Sequence, residues 1–201
     1  MDSLDPLDPT RKATGNRWLD LIVPASAILI AVVSLFIALR QSKIMEQQLA
    51  ASSWPYLQFG TSNQDDQGKP AITFDVENAG VGPAHVHGIT MSYDGHPVTS
   101  TKGILDACCA DLRAQHPVVR WSRSTLREQV LTPNRLKHIF TLPDAPENAP
   151  YWERLNAVGP KFVVRICYCS VLNQCWILDS SKVDLEDVKA CPAPQPGDYD
   201  G

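Results

Sequence analysis

The hydrophobic pattern of the chain opens with an unbroken apolar run, Leu21 to Leu39, bounded by Asp20 and Arg40. At about 1.5 Å rise per residue, a helix from Trp18 to Leu39 is roughly 33 Å long, enough to cross a hydrocarbon core about 30 Å thick. A cleaved signal peptide has a shorter apolar region, roughly 7–15 residues, ending at a small-residue site. This run instead leads directly into Arg40 and Lys43, so the pattern predicts an uncleaved, single-pass signal anchor. Asn16 is placed to cap the helix, Trp18 sits at interfacial depth, and Pro24 falls early enough to cost little. RQSKIMEQQLAASS is rich in helix formers and extends the helix as a stalk to Pro55, which ends it.

Beyond the stalk the periodicity changes to two. YLQFG and AITFDVEN read as paired strands across the polar turn NQDDQGKP, with Ile72, Phe74 and Val76 on one face. AGVGPA turns the chain through Gly80 and Gly82, read as residues at positive φ. AHVHGITMSY follows, and its apolar phase slips between Val86 and Ile89, which predicts a bulge at Gly88. ILDACCADLRAQ has helical spacing, with Leu105, Cys108, Cys109 and Leu112 on one stripe. PVVRWS, STLREQVL and LKHIFTL are strand-prone, and the last two read as a hairpin about TPN. YWERLNAVG reads as a short helix ending at Gly159, and KFVVRICYCS and CWILDS as a final hairpin. Seven or eight strands with regular turn signals point to a mainly β fold, an immunoglobulin-like β-sandwich with one or two short helices behind the membrane helix. The predicted organisation is a disordered leader over 1–16, the transmembrane helix and stalk over 17–53, the sandwich over 54–183, and an acidic, proline-rich tail over 184–201 whose last ten residues read as disordered.

Composition narrows the function. In 201 residues the net charge is −4, so there is no basic surplus to neutralise phosphates, and nucleic acid is not an expected partner. Six cysteines suit a disulfide framework in an oxidising compartment. Lys and Arg in the flanks, Arg11, Lys12 and Arg17 before the span against Arg40 and Lys43 after it, place the C-terminal domain outside the cytoplasm, in the periplasm. Arg40 and Lys43 at the membrane edge argue the opposite orientation. Ala27, Ala31, Ser34 and Ala38 are small residues at a spacing that permits a homodimer in the membrane.

A hairpin centred on Leu172 sets Cys169 opposite Cys175, Cys167 opposite Ile177 and Tyr168 opposite Trp176. Cys167, Cys169 and Cys175 then share the face away from the core. The stripe bearing Cys108 and Cys109 is the expected cover, with Cys191 reaching from the tail. These six form an expected disulfide cluster, in which a bridge from Cys108 or Cys109 to the hairpin would constrain the unfolded chain by roughly 3–5 kcal/mol. Buried free thiols and a redox or metal site are the alternatives, although neither CC nor CYC has the spacer of common zinc or thioredoxin-like motifs.

WPYLQFG, VENAGVGPAHVHGI and CYCSVLNQCW together resemble an uncharacterised group of bacterial single-pass membrane-anchored proteins with an N-terminal span followed by a small β-rich domain. That resemblance implies the architecture but no residue role. His85 and His87, two apart on one strand face, are compatible with a metal bound by two imidazoles and His96 as a third, but solvated side chains are the expectation. Asp65 with Asp66 and Glu186 with Asp187 read as solvent-facing pairs. The chain contains no nucleophile elbow, phosphate-binding loop, dinucleotide fingerprint or zinc-protease motif. The expectation is therefore a membrane-tethered, non-catalytic binding or structural module. It needs no cofactor and meets the bilayer through Trp18 to Leu39 and an unidentified protein through its domain. An envelope thiol protein using Cys108, Cys109, Cys167, Cys169 and Cys175 is the second expectation.

Overall fold

The computed structural model describes residues 17–200; the leader, including Arg11, Lys12 and Asn16, lies outside them. The chain divides into a unit ending at Leu49 and a unit running from Ala50 onward. The first is most of α1 (Arg17–Ser52), 36 residues with Pro24 inside. It is long and apolar enough to cross a membrane, and its apolar window is 0% buried. Because α1 alone contributes so much helix, the chain as a whole is helix and strand in comparable measure, and only the second unit is β-rich.

In that unit the strands are β1 (Leu57–Gln64), β2 (Pro70–Asn78), β3 (Ala84–Tyr93), β4 (His96–Val98), β5 (Ser122–Arg123), β6 (Val130–Leu131), β7 (Arg135–Pro143), β8 (Phe162–Cys169), β9 (Cys175–Asp179) and β10 (Glu186–Val188). The helices are α2 (Thr101–Gln115) and α3 (Ala149–Val158). One antiparallel sheet has the order β1-β2-β7-β5 and the other β10-β9-β8-β3-β4, with β6 also pairing β3. The sheets share one core in which Phe74 of β2 meets Phe140 at 5.5 Å and crosses to Phe162 of β8 at 5.0 Å between ring centroids. The alternation of Ile72, Phe74 and Val76 that marks the strand in sequence is the alternation that delivers these buried side chains. On the opposing sheet Tyr168 is fully buried; its phenolic oxygen accepts from the Leu57 N–H at 3.4 Å, and burial pushes its pKa up to about 12, so it stays neutral.

Four sequence expectations are corrected. STLREQVL and LKHIFTL do not pair: β6 joins β3 through Ala84–Leu131 and His85–Val130, while β7 pairs β2 and β5. Asn134 at φ +54° turns the chain between them, and burial of Leu131 holds β6 on the other sheet. Gly80 and Gly82 are not at positive φ; they are required because a Cβ would lie 2.3 Å from the Tyr56 nitrogen or 1.9 Å from the Ser53 oxygen. The bulge in β3 lies at His87, between Val86 and Gly88, one residue before its expected position. Finally, the tail forms a strand and then packs through Tyr199, within the last ten residues for which the sequence predicts disorder. β10 pairs β9, the Tyr199 N–H donates to Ile89 O at 2.9 Å, and the Tyr199 side chain is fully buried against α2 through Thr101.

Asn78, fully buried at the end of β2, ties these parts together. Its Oδ1 accepts from the N–H groups of Tyr56 and Gly80 at 3.2 and 3.0 Å, and its Nδ2 donates to Gly82 O and Leu131 O at 2.8 and 2.9 Å. Asn78→Ala strips partners from four backbone groups, of which those of Gly80, Gly82 and Leu131 are in buried residues and each cost about 1–3 kcal/mol when left unpaired. Urea unfolding of the full-length protein in detergent, followed by tryptophan fluorescence, should show a loss of at least about 3 kcal/mol.

Candidate functional site

The sulfur-bearing face of the β8–β9 hairpin is built by register. Cys169 opposes Cys175, Cys167 opposes Ile177 and Tyr168 opposes Trp176, so Ile166 and Tyr168 enter the core while Cys167 and Cys169 point away from it. Cys169 and Cys175 are disulfide-bonded across the strands, and Cys167 is bonded to Cys191, which follows β10. The sulfurs of the two bridges also meet, with Cys169 Sγ 3.8 Å from Cys191 Sγ. The bulge in β3 adds a histidine to this group: a His87 ring nitrogen and the Cys169 and Cys191 sulfurs lie within 4.8 Å of one another. Burial, followed by the charge of His85, lowers the His87 pKa, so the imidazole is neutral at pH 7. The His85 ring lies against it, tilted, with centroids 4.3 Å apart, whereas His96 lies at the far end of β3, paired with Tyr93.

His87, Cys169 and Cys191 have the donor chemistry of a soft-metal site. Both sulfurs are held in disulfides here, and metal binding requires thiolate, so this oxidised form offers one imidazole and no thiolate.

The expected cover for the hairpin face is not α2. The C-terminal segment takes that place: Pro192, Ala193, Gln195 and Asp198 enclose a cleft of about 280 Å³ with Cys167, Arg165, Ile177 and Gly88. Cys108 and Cys109 bond to each other instead of to the hairpin. Their side chains belong to the main core, since α2 packs on α3, β4 and β3. The helix is kinked where they join, Cys109 having φ −143° and ψ 31°, because closing a small ring between neighbouring residues is incompatible with straight helix. The structure therefore brings Cys167, Cys169, Cys175 and Cys191 together and places Cys108 and Cys109 elsewhere.

A second cluster is invisible in sequence. His138 of β7 presents Nδ1 to Asp75 Oδ1 and Nε2 to Asp66 Oδ1 at 2.9 Å, and Thr73 Oγ1 donates to the other oxygen of Asp75 at 2.6 Å. Register puts Asp75 beside His138 through a bulge in β7 at Ile139. Burial pulls the His138 pKa down, but the hydrogen bonds and charges of Asp75 and Asp66 outweigh it, and the net shift is upward. With a carboxylate on each ring nitrogen the imidazolium is a clamp, and no nitrogen remains to accept a proton from a hydroxyl nucleophile. Asp65, its neighbour in the expected acidic pair, instead orders the turn by accepting from the Gln67 and Lys69 N–H groups at 2.9 Å. Glu186 pairs with Arg165 at 3.6 Å.

Two outcomes follow. Since the His138 pKa is raised by folding, its contribution to stability is complete below the unfolded value of about 6.5 and is lost as pH rises through the folded value. The Tm difference between wild type and His138→Gln should therefore be largest below about pH 6.5 and shrink above it. Alkylation of the unfolded, unreduced protein should add no mass, while prior reduction should expose all six cysteines; intact mass spectrometry reads both.

No curated protein and no solved structure matches the chain. Residues 21–189, which include most of α1 and every described strand, match a family defined as a domain of unknown function (DUF8453), and the chain belongs to that family.

Proposed function

We propose that this is a bacterial single-pass membrane protein in which α1 spans the bilayer and tethers a β-rich binding or structural module on the periplasmic side. The carrying observation is the exposure of the apolar stretch: from Leu21 to Leu39 every side chain is exposed. A core helix of a soluble protein would be mostly buried, and an apolar surface of this size needs lipid. The helix runs on to Ser52 through Arg40 and Lys43, which supports an anchor over a cleaved signal. Three disulfides and the basic residues Arg11, Lys12 and Arg17 support the periplasmic orientation.

We read the module as immunoglobulin-like. The order β1-β2-β7-β5 opposite β9-β8-β3-β4 follows the strand order of that class, with β2 and β8 where antibody domains carry their inter-sheet disulfide. Here the Phe74–Phe162 contact occupies that place. Such sandwiches serve recognition more often through their surfaces than through chemistry, and the clamped His138 supports a non-catalytic role. The partner is another protein, or a second copy of this chain joined through the small residues of α1.

Membrane fractionation tests the tether: the full-length chain should stay in the pellet after alkaline carbonate and leave it only with detergent. Release by carbonate overturns the tether. Alkaline phosphatase fused after Gly201 should be active and a fluorescent protein dark; the reverse result overturns the orientation.

A further inference from the structure

The two disulfides on the β8–β9 face are in contact, and each end of the four-sulfur row lines a surface recess, Cys167 and Cys175 each keeping 7% exposure. Cys175 lines a surface depression with Gln174, Trp176, Asp187 and Lys189, beside a turn whose Val171 and Leu172 are exposed. Cys167 lines the cleft beneath the C-terminal segment, together with Arg165. Lys189 lines the first recess and Arg165, ion-paired to Asp179 and Glu186, the second. In the middle, the non-bonded distance of 3.8 Å between Cys169 Sγ and Cys191 Sγ is close to the approach a thiolate needs to attack a disulfide.

We propose that Cys175, Cys169, Cys191 and Cys167 form a thiol–disulfide relay that oxidises a dithiol substrate arriving at Cys175. A substrate thiolate attacks Cys175 Sγ, forming a mixed disulfide and expelling Cys169 as thiolate. Cys169 attacks Cys191 Sγ, the Cys169–Cys191 bond forms, the Cys167–Cys191 bond breaks, and Cys167 departs as thiolate and takes a proton. The second substrate thiol then attacks the mixed disulfide, releasing Cys175 as a thiol and the substrate as its disulfide. The substrate loses two electrons and two protons, and the four-sulfur row ends with one bridge, Cys169–Cys191, and two thiols, Cys167 and Cys175, while Cys108–Cys109 is untouched. Neutral His87, beside both middle sulfurs, keeps that gap polar without adding charge. The relay goes beyond the tethering role and does not depend on it.

Two single variants open the row from opposite ends, in the full-length protein in detergent. In Cys175→Ser the free thiol begins on Cys169; in Cys167→Ser it begins on Cys191. Thiols are alkylated in the native state, and the bridges are mapped by mass spectrometry of unreduced peptides. The relay requires a Cys169–Cys191 bridge in both variants, with label shifted to Cys167 in the first and to Cys175 in the second. Label confined to Cys169 in the first and to Cys191 in the second overturns it. Should either variant fail to fold, wild-type protein titrated with dithiothreitol until the hairpin is reduced decides the question. Thiols on Cys167 and Cys175 support the relay, while thiols on Cys169 and Cys175, or on Cys167 and Cys191, refute it.

Discussion

The amide of Asn78 is the constraint on which the β-rich unit depends. Three segments with no reason of their own to meet converge on it: the entry to β1 at Tyr56, the tight turn at Gly80 and Gly82, and the two-residue strand β6 at Leu131. A carboxylate could accept the two N–H groups but could not donate to the two carbonyls, and a hydrophobe could do neither. The main chain reinforces the junction, with the Ala79 N–H donating to Tyr56 O and the Asn134 N–H donating to Asn78 O, each at 2.8 Å. Because the sites are buried, water cannot substitute for a missing partner. The glycines make this junction possible by lacking a Cβ, since Ser53 and Tyr56 occupy the space a side chain would need.

From that junction β3 runs through the second sheet between β8 and β4 and does two jobs in one strand. Before the bulge Val86 faces the core, and after it Ile89 and Met91 do. The extra residue, His87, is what lets both halves bury their apolar side chains while an imidazole is directed to the sulfur-bearing face. The C-terminal segment closes over that face as Cys191, and closes the core as Tyr199. A single stretch of chain thereby seals both sides of the sheet.

Much of this was legible because local rules govern it. The period-two run in β2, the helical stripe of α2 and the turn about Leu172 fix residue faces without reference to distant chain, and the β8–β9 register follows from the turn alone. The phase slip in β3 announced a bulge. What could not be read depends on long-range contact. Asn78 looks like an ordinary turn residue until Leu131 arrives from 53 residues away. Asp75 and His138 are separated by 63 residues, and nothing near either one signals the other. The tail misleads by composition: prolines and acids dominate it, and one cysteine and one tyrosine hold it in place. The immediate neighbours Cys108 and Cys109 look like two arms reaching elsewhere, and the structure joins them to each other.

The nesting of the two hairpin-face bridges has a consequence in chain entropy. The inner bridge closes a separation of 6 residues and the outer one of 24, and it is the outer that anchors the C-terminal segment. A Cys169–Cys191 pairing would close a separation of 22. Loop-closure entropy varies only with the logarithm of length, so trading 24 for 22 alters it by less than about 0.1 kcal/mol. The segment that seals both faces of the sheet would remain tethered to the same degree in either pairing, and a change in the oxidation state of this surface would cost the fold only the constraint of the inner, 6-residue loop, about 2 kcal/mol.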